Sequence, residues 1–528
     1  MTILQRNGIP GPKPNLITGS LFDHSRTPNV LKYDEYFAKY GPIVGYYIGR
    51  KANVLINDVE LAKRIQIKDF SNFSDRQTLG IKYGLHPNPK YYLHLISAQG
   101  AQWKELRTLL NPTFSAVKLK AMTPIMDSCI DILLDKVEKR AASGGEFDLY
   151  EAFQLLTTDV IAKCALGIDT DVQNNPDDEF FRAAKRLFDT HPSRFRLMFT
   201  CFPELDRVLY PLRRGLQMIE EWRDRSVSQT LARLINAAIR LRSASSVLGS
   251  AGKKKKNDLL QLMLDAKSSE EEIANTSAAT LTIDENSDSE EKDGEEGKPT
   301  RAEKSLRNGG STANGHNNSH SKQKALSKDI VVATAIVFYE AGYETTSTTL
   351  GFLAHILVTH QEIQEKIREE VVQMYEKEGV FDYNTVNRLP YMNQVISETL
   401  RYYPPVTTFV TRTTKEDYHY KDIVIPANST VRIPINQLHH REDLWPEHMK
   451  FDPERFRDRS VIDPVAYQPF GTGIGMRFAQ LEIKLTIARL LHKYRLLPGP
   501  STEKELTVEY KPITQTPKNG VWVRAVPV

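Results

Sequence analysis

The chain has 528 residues and a formal net charge of +4, with 40% hydrophobic, 26% charged and 9% aromatic residues. This composition is typical of a folded globular protein and excludes collagen-like, disulfide-scaffold and wholly disordered classes. The slight excess of 70 basic over 66 acidic residues gives no reason to expect a nucleic acid partner. Three cysteines, Cys129, Cys164 and Cys201, have neither a paired nor a metal-ligand spacing, which favours a reducing compartment.

The N-terminal region predicts no signal peptide and no membrane anchor. Only residues 1–7 precede the first turn cluster, and no window reaches the roughly 18 to 20 uninterrupted apolar residues of a spanning helix. Three prolines make residues 8–14 a stiff, non-helical segment, interpreted as a hinge. Two β-branched and aromatic runs, Ile43 to Ile48 and Asn53 to Ile56, flank Gly49-Arg50-Lys51 and predict a hairpin.

Helical periodicity dominates from about Val59 to Leu241. It is clear over Pro124 to Lys139, where Pro124 is predicted to open the helix. Near the C-terminus, the run from Thr507 to Val526 predicts strands, with a hairpin turn at Asn519-Gly520. The pattern therefore predicts a helical body with little sheet.

One segment, residues 268–328, contains no Phe, Trp or Tyr and is dominated by Ser, Asn, Gly, Glu and Lys. Such a composition cannot bury enough apolar surface to fold. The segment is predicted to be a disordered, charged insertion, and a solvated loop is favoured over a specific binding role.

Four short motifs contain residues suited to chemistry. Ala341 to Thr346 interrupts a long apolar helix, predicted over Ile330 to His360, with small residues, an acid and hydroxyls. Glu398 to Arg401 places opposite charges at i and i+3 of a helix. The others are Trp103 to Arg107 and Phe451 to Phe456. Each motif alone is also compatible with ordinary surface or core.

In this chain order, the motifs resemble the cytochrome P450 family, the haem-thiolate monooxygenases, from Gly8 to the C-terminus, and are most similar to the animal microsomal subgroup that oxidises steroids and drugs. The resemblance implies a single P450-like domain, mainly α with a small β-rich lobe. It implies haem as cofactor and insertion of one oxygen atom from O2 into an apolar substrate of the steroid, lipid or xenobiotic class. NADPH-cytochrome P450 reductase would supply electrons at the cytosolic face of the endoplasmic reticulum membrane, although the chain as written, without an anchor, is also compatible with the cytosol.

The resemblance also implies roles for individual residues. The acid and alcohol of the helix motif, Glu344 and Thr345, would deliver protons at the distal face of the haem. The haem-binding set would be Trp103, Arg107 and Arg412 at the propionates, with Phe470, Gly471 and Gly473 in the haem loop. A buried structural charge triad would be Glu398, Arg401 and Arg455.

The haem loop departs from the family pattern. After its second glycine, the family loop continues with Pro-Arg-x-Cys, and this cysteine is the axial thiolate. Here Gly473 is followed directly by Ile474, so four residues are missing, and His439 and His440 are interpreted as ordinary residues. No residue takes the metal-ligand position, which predicts an inactive chain. The alternatives are a haem-deficient relative that binds apolar ligands or partner proteins, and a shortened product of a gene whose full form is active.

Two further patterns were weighed. Gly471, Gly473 and Gly475 resemble a phosphate-cradling turn, but no buried strand precedes them and no βαβ pattern surrounds them, which disfavours a dinucleotide site. Residues 191–212 mix apolar and basic side chains. In the family this region dips into the bilayer surface, and an amphipathic core helix is the alternative.

Overall fold

The computed structural model describes residues 2–76, 93–179, 227–247, 258–269, 323–408, 410–471 and 473–528, with residues 181, 182, 185, 208, 211, 212, 215, 218 and 219. The described α-helices are α1 (Ile3–Arg6), α2 (Leu21–Arg26), α3 (Asn29–Tyr40), α4 (Val59–Lys63), α5 (Gly100–Leu110), α6 (Ala116–Ser143), α7 (Leu149–Leu166), α8 (Val227–Val247), α9 (Leu259–Asp265), α10 (Lys328–Thr359), α11 (Gln361–Glu378), α12 (Tyr383–Asn387), α13 (Pro390–Tyr402), α14 (Ile435–His439) and α15 (Met476–Lys493). Short 3₁₀ helices cover Phe70–Phe73, Asn111–Phe114, Pro453–Phe456 and Arg459–Val461, and a π-helical turn covers Arg64–Lys68.

The strands form small sheets. They are β1 (Ile43–Ile48), β2 (Lys51–Ile56), β3 (Phe147–Asp148), β4 (Lys267–Ser269), β5 (Gln323–Ala325), β6 (Val410–Thr413), β7 (Tyr418–Tyr420), β8 (Ile423–Ile425), β9 (Thr430–Ile433), β10 (Tyr494–Pro498), β11 (Val508–Tyr510), β12 (Gln515–Pro517) and β13 (Trp522–Pro527). The main sheet has the order β1-β2-β9-β6, and a second has the order β10-β13-β3. The remaining described strands pair as β4-β5, β7-β8 and β11-β12. The predicted mainly α fold with a small β-rich lobe is confirmed.

The centre of the helical body is α10, which packs along α7. Ser327 caps α10 by accepting a hydrogen bond from the backbone N–H of Ile330 at 3.5 Å. From Val331 to Val358 nearly every side chain is buried, so the helix is enclosed on all sides rather than amphipathic. The helix predicted over residues 330–360 is thus confirmed within two residues at each end.

The N-terminal lobe follows its sequence pattern closely. Strands β1 and β2 pair antiparallel, with Ile43 opposite Ile56 and Ile48 opposite Lys51, which confirms the predicted hairpin and extends its second strand. Residues 8–14 were expected to form a hinge, but their first half is fixed against β1. Ile9 is fully buried, and the carbonyl of Pro10 accepts a hydrogen bond from Gly45 N–H at 2.7 Å. Prolines cannot donate, yet their carbonyls can still bind a strand.

Two local predictions were wrong. Pro124 does not open a helix but lies inside α6, which starts eight residues earlier. An interior proline costs about 3 kcal/mol, and the complete burial of Leu119 and Met122 on the preceding turns offsets that cost.

The second wrong prediction concerns the C-terminal turn. Asn519-Gly520 does not close a hairpin, because it joins β12 to β13, and β13 pairs with β10 and β3. The hairpin in this region is β11-β12, with Val508 opposite Pro517. Gly520 has a positive φ of 76°, and a Cβ there would lie 2.3 Å from an oxygen of Asp148. The glycine therefore allows the chain to pass close to the start of α7, and it does not form a hairpin turn.

The predicted insertion has ordered ends. Strand β4 pairs with β5, with Lys267 opposite Ala325 and Ser269 opposite Gln323. Ordered structure therefore reaches inside the predicted boundaries of 268 and 328, and residues 270–322 lie outside the described residues. The segment 191–212, weighed for membrane contact, also lies outside them except for three isolated positions. Among the described residues, no helix is both long and apolar enough to cross a membrane.

Candidate active site

The buried helix α10 has one opening at its middle. Between Val331 and Val358, the side chains that are not buried belong to residues 340–342 and 345. These positions fall within six consecutive residues and include the Ala-Gly pair and Thr345 of the sequence motif. The motif therefore coincides with the place where α10 faces open space.

The two small residues of the motif, Ala341 and Gly342, have different surroundings. A Cβ on Gly342 would lie 2.6 Å from Cδ1 of Ile161, so this glycine lets α7 approach α10 closely. The group that approaches the backbone at Gly342 is thus a side chain of α7. Ala341 is exposed and borders the opening.

The acid of the motif is paired with a distant lysine. Lys511, in the turn that joins β11 to β12, donates a hydrogen bond from Nζ to Oε1 of Glu344 at 2.9 Å. The two side chains are 12% and 3% exposed. A buried carboxylate requires such a partner, because the isolated charge would be costly to desolvate. Nearby, the hydroxyls of Tyr150 and Thr348 are hydrogen-bonded at 3.2 Å.

The hydroxyl of Thr345 donates to the carbonyl of Ala341 at 2.5 Å. This bond to the residue four positions earlier is a common arrangement for threonine in helices. It uses the hydroxyl proton and leaves the oxygen lone pairs able to accept a hydrogen bond. Thr345 at the opening is therefore an acceptor toward any donor that enters.

A cluster of arginines lies where α5, β6 and the chain after Phe73 meet. Arg107 of α5 and Arg412 of β6 are each only 3% exposed. Burial lowers the pKa of Arg76, and the charges of Arg412 and Arg107 lower it further, so the three guanidinium groups are neighbours. Phe70 contacts both the Trp103 ring, with centroids 5.8 Å apart, and the Arg412 guanidinium, 5.4 Å from its centroid.

The cluster is suited to an anion. Burial lowers the pKa of Arg412 to about 10, and its Nε has no hydrogen-bond partner among the described residues. Its Nη1 donates a hydrogen bond to the Thr411 carbonyl, a neutral group, at 3.2 Å. Neighbouring cations that are held out of water bind carboxylates strongly.

The loop before α15 lacks a thiolate. Phe470 and Gly471 form a turn in which the Gly473 N–H donates to the Phe470 carbonyl at 3.1 Å, and Ile474 is 6% exposed. Helix α15 begins at Met476, three residues after Gly473. Met476 provides only a neutral thioether, and it lines a groove of about 180 Å³ beside Phe470.

The other candidate iron ligands lie elsewhere. Cys129 and Cys164 are fully buried in α6 and α7, and burial raises the pKa of both, that of Cys129 to about 12. Cys201 lies outside the described residues. Nε2 of His439 already accepts a hydrogen bond from Gln468 N–H at 3.1 Å, so its lone pair is occupied. In the described part of the chain, no cluster of three His, Cys, Asp or Glu side chains is placed to hold a metal ion.

The charge motif of α13 lies in the core. Arg401 donates from Nε and Nη2 to the two carboxylate oxygens of Glu398, at 2.7 and 2.8 Å. The remaining donors of Arg401 bind the backbone carbonyls of His439 and His448, each at 2.9 Å. Arg455 is farther from Glu398, with Nε 3.6 Å from Oε1. Burial raises the pKa of Glu398, against the opposing effect of both arginines.

Comparison with known proteins identifies the family to which this chain belongs. The profile of the family described as Cytochrome P450 matches residues 9–286 and 300–523. The chain belongs to the cytochrome P450 family. Thromboxane-A synthase from Rattus norvegicus is 33% identical over 99% of this chain and 92% of its own length. Cytochrome P450 3A28 from Bos taurus is 30% identical with the same coverage of both chains. The family prediction made from the four motifs is confirmed.

The residues of this cytochrome P450 fit one half of a haem group. The guanidinium groups of Arg76, Arg107 and Arg412 suit two propionates, because Arg412 Nε has no hydrogen-bond partner and the cluster carries excess positive charge. The loop before α15 contains no cysteine that could provide a thiolate ligand for the iron, because Gly473 is followed directly by Ile474. The propionate half therefore fits and the axial half does not.

Sequence reasoning missed Arg76, Lys511 and Glu340. Arg76 and Lys511 act on residues far away in the chain, and no local pattern indicates such contacts. Glu340 precedes the motif directly and borders the opening. The sequence does indicate Glu340 as unusual, because it is the only charged residue between Ile330 and Ala341.

Proposed function

We propose that this site belongs to the haem-dependent monooxygenases and takes an apolar substrate, and that the chain with its present sequence binds its ligand without turning it over. Membership of the cytochrome P450 family supports the reaction class. The observation that supports the proposal is that the chain combines a buried arginine cluster with a loop before α15 that contains no cysteine. Haem bound through a thiolate would supply the oxygen activation that this class of reaction needs.

The residues around the opening would perform the polar tasks. Thr345, whose proton is donated to Ala341, would accept a hydrogen bond from a water molecule or ligand in the opening. Glu344, held by Lys511 at 2.9 Å, would exchange protons with such a water molecule. Arg412 and its neighbours would orient the propionates.

The proposed electron donor and cellular location follow from the same reaction class. Electrons would come from NADPH through NADPH-cytochrome P450 reductase, and the protein would work at the cytosolic face of the endoplasmic reticulum membrane. A haem-deficient protein that binds apolar ligands is the second candidate. It is favoured by the direct joining of Gly473 to Ile474.

The experiment compares the chain with a variant in which Pro-Arg-Asn-Cys is inserted between Gly473 and Ile474. Both proteins are reconstituted with haem, the reductase and NADPH, and substrate-dependent NADPH consumption is measured with a panel of steroids. The proposal predicts turnover by the insertion variant and none by the unmodified chain. A second insertion variant with Ser instead of Cys controls for loop length and is expected to be inactive. Turnover by the unmodified chain would reject the proposal.

A further inference from the structure

Glu340 lies at the edge of the α10 opening, and none of the described residues pairs with its charge. Its side chain is partly exposed, although the preceding nine residues of the helix are buried. No donor or cation among the described residues contacts its carboxyl group, and burial alone raises its pKa to about 7. Glu344, one helical turn later, differs because Lys511 pairs with it.

No cation among the described residues offsets the charge of Glu340. Burial raises the pKa of the neighbouring Tyr339, and the charges of Asp178, Asp159 and Glu340 raise it further. The nearest ion pair along the helix, Glu344 with Lys511, is neutral in sum. A cation that enters the opening would therefore meet the charge of one carboxylate, Glu340, which no described cation neutralises.

The remainder of the opening is apolar. Val337 and Phe338 precede Ala341 by four and three positions, so they lie on the same face of the helix. The rings of Phe338 and Phe114 meet edge to face, with centroids 5.3 Å apart. An apolar wall with one carboxyl group at its edge is typical of a site that orients a largely apolar ligand by a single polar group.

We propose that Glu340 is a specificity-determining residue, which binds the protonated amine of an otherwise apolar ligand at the α10 opening. This inference rests on the proposed function only in treating the opening as the ligand site. A partly buried carboxylate without a cationic partner gains from binding a cation, because the ligand charge replaces the hydration that partial burial removed. A neutral ligand of the same shape offers no such compensation.

The test uses three ligands that share one apolar body: 1-adamantanemethylamine, 1-adamantanemethanol and 1-adamantanecarboxylate. Calorimetric titration of the full chain at pH 8 gives the affinity for each. The amine is expected to bind about tenfold or more tightly than the alcohol, since a hydrogen bond between charged groups is worth at least that factor. The carboxylate is expected to bind most weakly.

The variant E340Q keeps the shape of the side chain and removes its charge. It should abolish the preference for the amine and leave affinity for the alcohol within about twofold. The matched control is E369Q, at an exposed acid of α11, which should retain the preference. Equal affinity of the unmodified chain for amine and alcohol, binding of none of the three ligands, or a preference that survives in E340Q would overturn the proposal.

This result can be told apart from failure of the proposed function. None of the three titrations depends on haem or on turnover, so an inactive insertion variant would leave an observed amine preference intact. Conversely, an active insertion variant without an amine preference would overturn only the assignment of Glu340.

Discussion

Glu398 and Arg401 form a bidentate ion pair one helical turn apart, with both side chains fully buried. The second arginine, Arg455, and the backbone N–H of Asp452 complete the surroundings of the carboxylate. Since burial raises the pKa of Glu398 despite these partners, desolvation outweighs the attraction between the charges. Such a pair contributes little net stability but is costly to break.

Removing one member of this pair should therefore destabilise the fold strongly. E398A is expected to lower the free energy of unfolding by about 3–5 kcal/mol, because it leaves Arg401 buried and uncompensated. The control is E35A, which removes the ion pair of the exposed Glu35 with the more buried Lys32, also spaced i and i+3, and should lower the free energy of unfolding far less than E398A does. Urea denaturation measures both. Similar small losses for the two variants would show that the buried pair has no structural role.

The arginine cluster should recognise propionates even without iron. Metal-free protoporphyrin IX is expected to bind more tightly than its dimethyl ester, which lacks the charges. R412M should lower affinity for the free acid about tenfold or more, because a hydrogen bond to a charged group is lost. R6M, at an exposed arginine of α1, is the control. Fluorescence titration gives the affinities, and equal binding of acid and ester would argue against a propionate site.

Glu340 should make the stability of the fold depend on pH. Its pKa is raised from 4.5 to about 7 in the folded chain, so the folded state holds the proton more tightly than the unfolded state. Stability from this group is complete below about pH 4.5 and is lost as pH rises through 7. The loss is at most about 3 kcal/mol, and partial solvent exposure reduces it.

The measurement is the free energy of unfolding of the chain and of E340Q between pH 5 and 8. Subtracting the two curves removes the contributions of groups common to both proteins. E340Q should become the more stable protein relative to the parent as pH rises. Parallel curves would mean that the Glu340 carboxyl group is as well solvated when folded as when unfolded.

Sequence reasoning succeeded where the determining interactions are local. The hairpin of β1 and β2 and the long helix α10 follow from alternation and from a continuous apolar run. Pro124 was misjudged because tertiary packing of the turn before it outweighs the local preference for a helix start. Asn519-Gly520 was misjudged because the partners of β13, namely β10 and β3, are distant in the chain.

Family motifs supplied the candidate site residues Glu344, Thr345, Arg107 and Arg412, and their roles stay predictions. Arg76 has no such pattern, and its position depends on the meeting of α5 with β6. The pairing of Glu344 with Lys511 depends likewise on where the β11-β12 hairpin lies.

We propose that this cytochrome P450 lacks the axial thiolate of its family, and the carbon monoxide difference spectrum of the reduced, haem-reconstituted protein would show whether a thiolate binds the iron. The unmodified chain is predicted to show no thiolate-type spectrum. Insertion of Pro-Arg-Asn-Cys between Gly473 and Ile474 is predicted to produce one, because the cysteine then precedes the N-terminal end of α15, where a thiolate is favoured. A thiolate-type spectrum from the unmodified chain would contradict this account.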